Sequence, residues 1–309
     1  MIIDQLIEPS ALKYALAVTF ALALAGAPQA EEETKKGAAD IPSGPEIWAV
    51  QINVSDIDEA IDFCTNVLGL EVAAREYYPQ VVSLKNDGAH VLLYNVRERN
   101  NLRPMRSSPY CNWQVPNLDK TLEKLKASKA TDITGPEKFP LGMSVGFCDP
   151  FGNYMHIMEL DKARGSVEQT QFFNFAIPIT DKDKALEFYA ALGFESYTDK
   201  YWPPVVPLAG QGMEFILHQS DEVIAQEYPG KVGAFVILEV PNIYESVKRL
   251  EALGMTFLYD KPQTHAPVGT FTALRDPFGN IVELIQSVPT PFDAARERAE
   301  KERASNSTN

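Results

Sequence analysis

Positive charge is what this 309-residue chain is short of. Lys and Arg total 28 against 42 Asp and Glu, a formal net charge of −14. A surface that acidic repels phosphate backbones, which argues against nucleic acid as a partner. Cysteine is scarce as well: Cys64, Cys111 and Cys148, with no CxxC pair. Zinc-ribbon and thioredoxin-type readings therefore have no support. Cys64 falls on the apolar face of an expected helix and reads as core. Cys111 and Cys148 fall on expected strands of one half, where an oxidising compartment would let them pair. Long apolar runs are nearly absent. The one candidate, "YALAVTFALALAGA" at residues 14–27, is shorter than the roughly 20 residues a membrane span needs. Apolar content itself is ample at 45%, enough for real cores and too much for a disordered chain.

The run at residues 14–27 follows Lys13 and precedes "PQAEEETKK". An apolar stretch, then small residues, then charge reads as a secretory leader over residues 1–30, with a polar linker over 31–45. The expected location is periplasmic or secreted. Asp4 and Glu8 stand where a leader is usually positive, so an N-terminal membrane anchor and an ordinary apolar helix remain open. The mature form is expected off the membrane, as a monomer or homodimer.

The chain repeats itself. "YYPQVVSLKNDGAHVLL" begins at Tyr77 and "YWPPVVPLAGQGMEFIL" at Tyr201, a shift of 124 positions. "VPNLDKTLEKL" from Val115 answers to "VPNIYESVKRL" from Val240, and each half closes on DPFGN, at Asp149 and at Asp276. Self-similarity this long predicts a duplicated domain. Within each half the rhythm repeats again: Asp56 to Asn117 and Asp181 to Asn242 are both 61 positions. Ile57, Ala60, Ile61, Cys64 and Leu68 have helical spacing with one apolar face. Ser55 and Thr180 are the expected N-caps, and Gly69 and Gly193 the expected helix ends. Val-, Leu- and Tyr-rich segments split by turn residues follow each helix. Each half thus reads as βαβββ twice. DPFGN is turn chemistry, with Asp accepting local N–H groups, Pro fixing φ and Gly free to take positive φ. In the strand after it, Tyr154, His156 and Met158 share one face; in the second copy Ile281, Glu283 and Ile285 do.

With "D..AI.FC...LGL", "D.ALEFY..LGF" and a terminal "DPFGNxxE", the chain resembles the vicinal oxygen chelate superfamily of glyoxalase, bleomycin-resistance proteins and extradiol dioxygenases. The resemblance covers residues 47–286. It implies an α+β fold of two tandem modules, residues 46–160 and 171–288, each a pair of βαβββ units forming a curled sheet cup. Residues 161–170 would link them and 289–309 form a charged tail without chemistry.

In that superfamily a divalent ion (Zn, Ni, Fe or Mn) is held by His, Gln or Glu from the first, fourth, fifth and eighth strands of a cup, and polarises a substrate with vicinal oxygens. Carried over, the first-strand positions are Ala49 and Asn174, the fifth-strand positions Tyr110 and Phe235, and the last-strand positions His156 and Glu283. The fourth-strand positions are Leu92 and Ile216, with His90 and Glu214 two residues earlier on the same face. Ala, Tyr and Phe cannot replace His, so the usual set is incomplete. The metal candidates are His156, Glu283, His90 and Glu214. Two reduced sites are conceivable: His90 and His156 with Gln51, or Glu214 and Glu283 with Asn174. Glu283 and His156 are the catalytic candidates. Gln51, Asn174, Tyr78, Trp202, Tyr110 and Phe235 are the ligand-binding candidates, the aromatic ones as cavity walls. His218 and His265 have no positional support and read as surface or rim. The expected function is small-molecule binding in the cups with a degenerate metal site. The alternatives are a divalent-metal-dependent lyase, isomerase or dioxygenase, and a structural protein without ligand.

Overall fold

The computed structural model describes residues 44–86, 88–96, 107–226 and 233–306. The leader and the anchor alternative fall outside the described residues. Four βαβββ units follow one another as expected. The first is β1 (Ile47–Val54), α1 (Ile57–Asp62, continued by a π-helical turn over Phe63–Val67), β2 (Val72–Ala74), β3 (Val81–Leu84) and β4 (His90–Asn95). The second is β5 (Tyr110–Gln114), α2 (Leu118–Lys126), β6 (Thr131–Phe139), β7 (Gly142–Cys148) and β8 (Tyr154–Leu160). The third is β9 (Gln171–Ile179), α3 (Lys182–Ala191), β10 (Glu195–Ser196), β11 (Val205–Ala209) and β12 (Glu214–Gln219). The fourth is β13 (Gly233–Glu239), α4 (Ile243–Ala252), β14 (Gln263–His265), β15 (Gly269–Arg275) and β16 (Ile281–Ser287), and a last helix, α5 (Pro291–Asn306), ends the description.

Each unit's helix opens on an Asp or Asn whose side chain accepts backbone N–H bonds: Asp56, Asn117, Asp181 and Asn242. The expected caps Ser55 and Thr180 are therefore one residue early. The Asp56 carboxylate reaches the amides of Asp58 and Glu59, while the Ser55 hydroxyl is buried without a partner. Gly69 and Gly193 do take the left-handed conformation at φ +78° and +98°.

Two eight-stranded mixed sheets result, in the orders β14-β15-β16-β13-β1-β4-β3-β2 and β10-β11-β12-β9-β5-β8-β7-β6. The α+β class and the tandem units hold, but each cup, expected within one half, is instead assembled across both. The sheets draw their units across the two halves: the first pairs with the fourth through β1 and β13, the second with the third through β5 and β9.

The helix-bearing faces of both sheets share one apolar cluster, in which Ile52 and Val236 of one sheet join Phe147, Phe175 and Phe215 of the other. The DPFGN turns fasten this join. Asp149 accepts from the amides of Phe151 and Asn153 and from the Asn153 side chain, and Asn153 Nδ2 also donates to the Asn53 carbonyl in the other sheet at 3.1 Å. Asp276 and Asn280 repeat this, with Asn280 Nδ2 donating to Pro178 O at 2.9 Å. Gly152 and Gly279, at φ +96° and +97°, let each turn close. The three cysteines are free and buried. Cys111 points into the shared core and Cys148 into the opposite face of its sheet, so these two thiols do not meet.

Candidate functional site

The four inner strands of each sheet bring one residue apiece into a row. In the first sheet β4, β1, β13 and β16 align His90, Ala49, Ile237 and Glu283. In the second, β12, β9, β5 and β8 align Glu214, Asn174, Asn112 and His156. Paired positions across a sheet share a face, so each row crosses the floor of one cup. The first row holds two apolar residues; the second is polar throughout.

The second row is knit by hydrogen bonds. Asn112 Nδ2 donates to Asn174 Oδ1 at 2.6 Å, and Asn174 Nδ2 lies 3.5 Å from Glu214 Oε2. Tyr197, just beyond β10, donates its hydroxyl to Glu214 Oε1 at 2.7 Å. Burial, and then the neighbouring Glu214 charge, push the Tyr197 phenol well above its ordinary range, so it stays a donor. At the other end Tyr154 Oη and His156 Nε2 are 2.7 Å apart. Gly146 lies opposite His156, and a side chain there would collide with that tyrosine hydroxyl. The ring of Tyr110 lies tilted against His156 at 5.0 Å and meets His218 edge-on at 6.0 Å. One group is left over: the side-chain carbonyl of Asn112, which is 2% exposed, has no hydrogen-bond partner.

The first cup is filled. Trp48, Ala49, Leu92, Phe235, Ile237 and Ile285 cluster with Phe292 and Ala295 from the first turn of α5. Phe292 meets Tyr77 edge-on at 5.0 Å, and Asp293 Oδ1 lies 3.0 Å from His90 Nε2. Burial raises the Asp293 carboxyl, but bonds from His90 and Thr290 outweigh it and hold the group well below the usual carboxylate range. Glu283 is buried on this floor. The tail expected to be inert thus enters a cup.

The sequence candidates separate accordingly. Glu214, Asn174, His156 and Tyr110 come together in the second cup; His90, Glu283, Gln51 and Phe235 belong to the first. His90 does not meet His156, nor Glu214 Glu283, because each pair is split between sheets. Gln51 donates to Asn53 Oδ1 on its own strand at 2.8 Å. Tyr78 is 46% exposed and bonds Asp58, away from either row. Trp202 packs on the shared core under Lys182. Tyr77, the neighbour of Tyr78, takes the cup side of the first sheet. His218 is a cup wall rather than rim, and His265 is exposed. Sequence reasoning missed Asn112, two residues past Tyr110 on the same face, along with Tyr197 and Gly146. The signal for Asn112 was a lone amide inside the buried run "YCNWQ".

The second row does not fit a divalent ion. Its carboxylate already accepts from Tyr197, the Asn174 amide N–H points at that carboxylate, and the His156 nitrogen is engaged by Tyr154. Among the described residues no three His, Cys, Asp or Glu gather as a metal group. Two amides, one imidazole and a carboxylate already engaged by Tyr197 are a weak donor set.

A sequence model described as the Glyoxalase/Bleomycin resistance protein/Dioxygenase superfamily matches residues 47–157 and 171–284. Among solved structures, glyoxalase I from Zea mays superposes with a TM-score of 0.59 at 18% identity, covering 82% of this chain and 96% of that one. A putative dioxygenase from Bacillus subtilis gives 0.57 at 15% identity, covering 85% and 95%. At these identities the likeness is one of fold. No curated protein sequence matches.

Proposed function

The chain belongs to the Glyoxalase/Bleomycin resistance protein/Dioxygenase superfamily, and we propose that its second cup binds a small molecule by hydrogen bonds and aromatic contact, without a metal ion. The observation that carries this is the partnerless Asn112 carbonyl in the middle of the polar row. A buried acceptor left unsatisfied costs about 1–3 kcal/mol. A ligand N–H or O–H placed there recovers that cost. Tyr110, Tyr154 and the imidazoles of His156 and His218 supply flat faces for a planar ligand. Glu214, on the floor of this cup, disfavours anions there. The ligand class is therefore a planar, neutral or cationic molecule carrying a hydrogen-bond donor.

The test is a thermal-shift and calorimetric titration with benzamide and benzamidine, with benzoate as the anionic control. The two donors raise the melting temperature of the native chain, and Asn112→Leu and Glu214→Gln each weaken them about tenfold, the worth of one lost hydrogen bond. Equal binding of benzoate, or shifts that both substitutions leave unchanged, would contradict the proposal. We propose further, from the leader pattern at residues 1–30, that the protein acts outside the cytoplasm. N-terminal sequencing of the protein recovered from the cell envelope, starting near residue 31, is the expected result; an intact residue 1 in the cytoplasm would oppose it.

A further inference from the structure

We infer that the first cup is a second ligand site, for an aromatic carboxylate, and that the chain's own C-terminal helix holds it shut by occupying it as a tethered stand-in for that ligand. The cup's lining suits an aryl group: Trp48, Leu92, Phe235 and Ile237 belong to one buried apolar cluster, and the aromatic ring that the tail contributes to it is that of Phe292. That ring is 2% exposed, edge-on to Tyr77 at 5.0 Å and 6.0 Å from the His90 imidazole. The next residue supplies the acid. Asp293 places one carboxylate oxygen 3.0 Å from His90 Nε2, and its other oxygen accepts from the Thr290 amide and hydroxyl, both at 2.7 Å. His90 is 3% exposed and stands at the row position that Glu214 holds in the second cup. A buried imidazole offered to a carboxylate beside an aromatic slot is a recognition site for both parts at once.

The stand-in is lightly attached. Among the helix side chains described, Phe292 and Ala295 are the buried ones, while Ala294, Glu297 and Arg298 face solvent. Val288, in the connection leading to the helix, is 46% exposed. A tether makes the internal ligand effectively concentrated, so a free molecule competes poorly until the tether's contacts are weakened. The site is distinct from the second cup, and it stands or falls independently of the ligand proposed there.

The experiment uses the full chain carrying Phe292→Ala with Asp293→Ala, titrated calorimetrically with 4-phenylbutyrate and, as control, 4-phenylbutylamine. The acid binds the double variant at least about tenfold tighter than the native chain and raises its melting temperature, the amine does neither, and adding His90→Gln removes about tenfold of the gain. A folded double variant that gains nothing for the acid, that takes the amine equally, or whose gain ignores His90→Gln would overturn the inference. Should the double variant fail to fold even with the acid present, Asp293→Ala alone keeps the apolar plug. The acid must then bind that variant about tenfold tighter than the native chain, and no gain overturns the inference.

Discussion

Asn112 carries more of the account than any other residue. Its amide is tied to Asn174 on one branch and partnerless on the other. Replacing it with Leu removes an unpaired acceptor together with one hydrogen bond, so the expected stability change is within about 1 kcal/mol while benzamide affinity falls. A chemical-denaturation midpoint beside a titration separates the two. Gly146→Ala should act on the opposite end of the row. The new methyl displaces the Tyr154 hydroxyl from His156, at an overpacking cost of about 1–3 kcal/mol. An unchanged melting temperature and unchanged ligand affinity would refute that role. Asn174, His156 and Glu283 were legible as row positions because DPFGN and the helix-starting Asp anchor the count. Asn112 was not legible. Register shifts between Asn112 and Trp113 in the β5–β9 pairing, and between Ile47 and Ala49 in β1–β13, and no count along one strand reveals where a ladder slips.

The DPFGN turns are the elements that join the sheets. Asn153→Ala and Asn280→Ala should each cost about 1–3 kcal/mol, since each strips a bond to a backbone carbonyl of the other sheet and one to its own buried Asp. Equilibrium unfolding of the two variants measures this, and a loss confined to one turn would contradict the equivalence of the repeats. The turns also predict a pH dependence. Burial pushes the Asp149 carboxyl up from 3.8 to about 6, against the hydrogen bonds it accepts, and Asp276 is raised for the same reason. The folded chain then holds these protons more tightly than the unfolded chain. The resulting stability is fully present below pH 3.8 and is lost as pH rises through about 6. Relative to Asp149→Asn, the native chain should lose on the order of 3 kcal/mol across that window. Parallel pH profiles would refute it. At this scale the four βαβββ units were plain in the sequence. Which unit shares a sheet with which was not, because four copies of one pattern are equally good partners on paper.

At the scale of the molecule, two cups with one ancestry have diverged in content. One floor reads Glu, Asn, Asn, His, and the other His, Ala, Ile, Glu under a helix. The tail's charged sequence hid its part: among its described side chains Phe292 and Ala295 are the buried ones, and two apolar residues in a polar run leave no periodic signal. Burial also silences the thiols, raising Cys148 to about 12 and Cys111 well above its ordinary value. None of the three cysteines should react with a thiol reagent in the folded protein, and all three should react after denaturation. A loss of one pair of thiols in both states would mean a disulfide the fold does not allow. The claim that the second cup recognises its ligand by hydrogen bonds rather than through a metal is tested most directly by elemental analysis of the chain, purified without chelators and incubated with zinc, nickel, iron and manganese. The account predicts well under about one ion per ten chains after dialysis; about one ion per chain, lost on Glu214→Gln or His156→Gln, would contradict it.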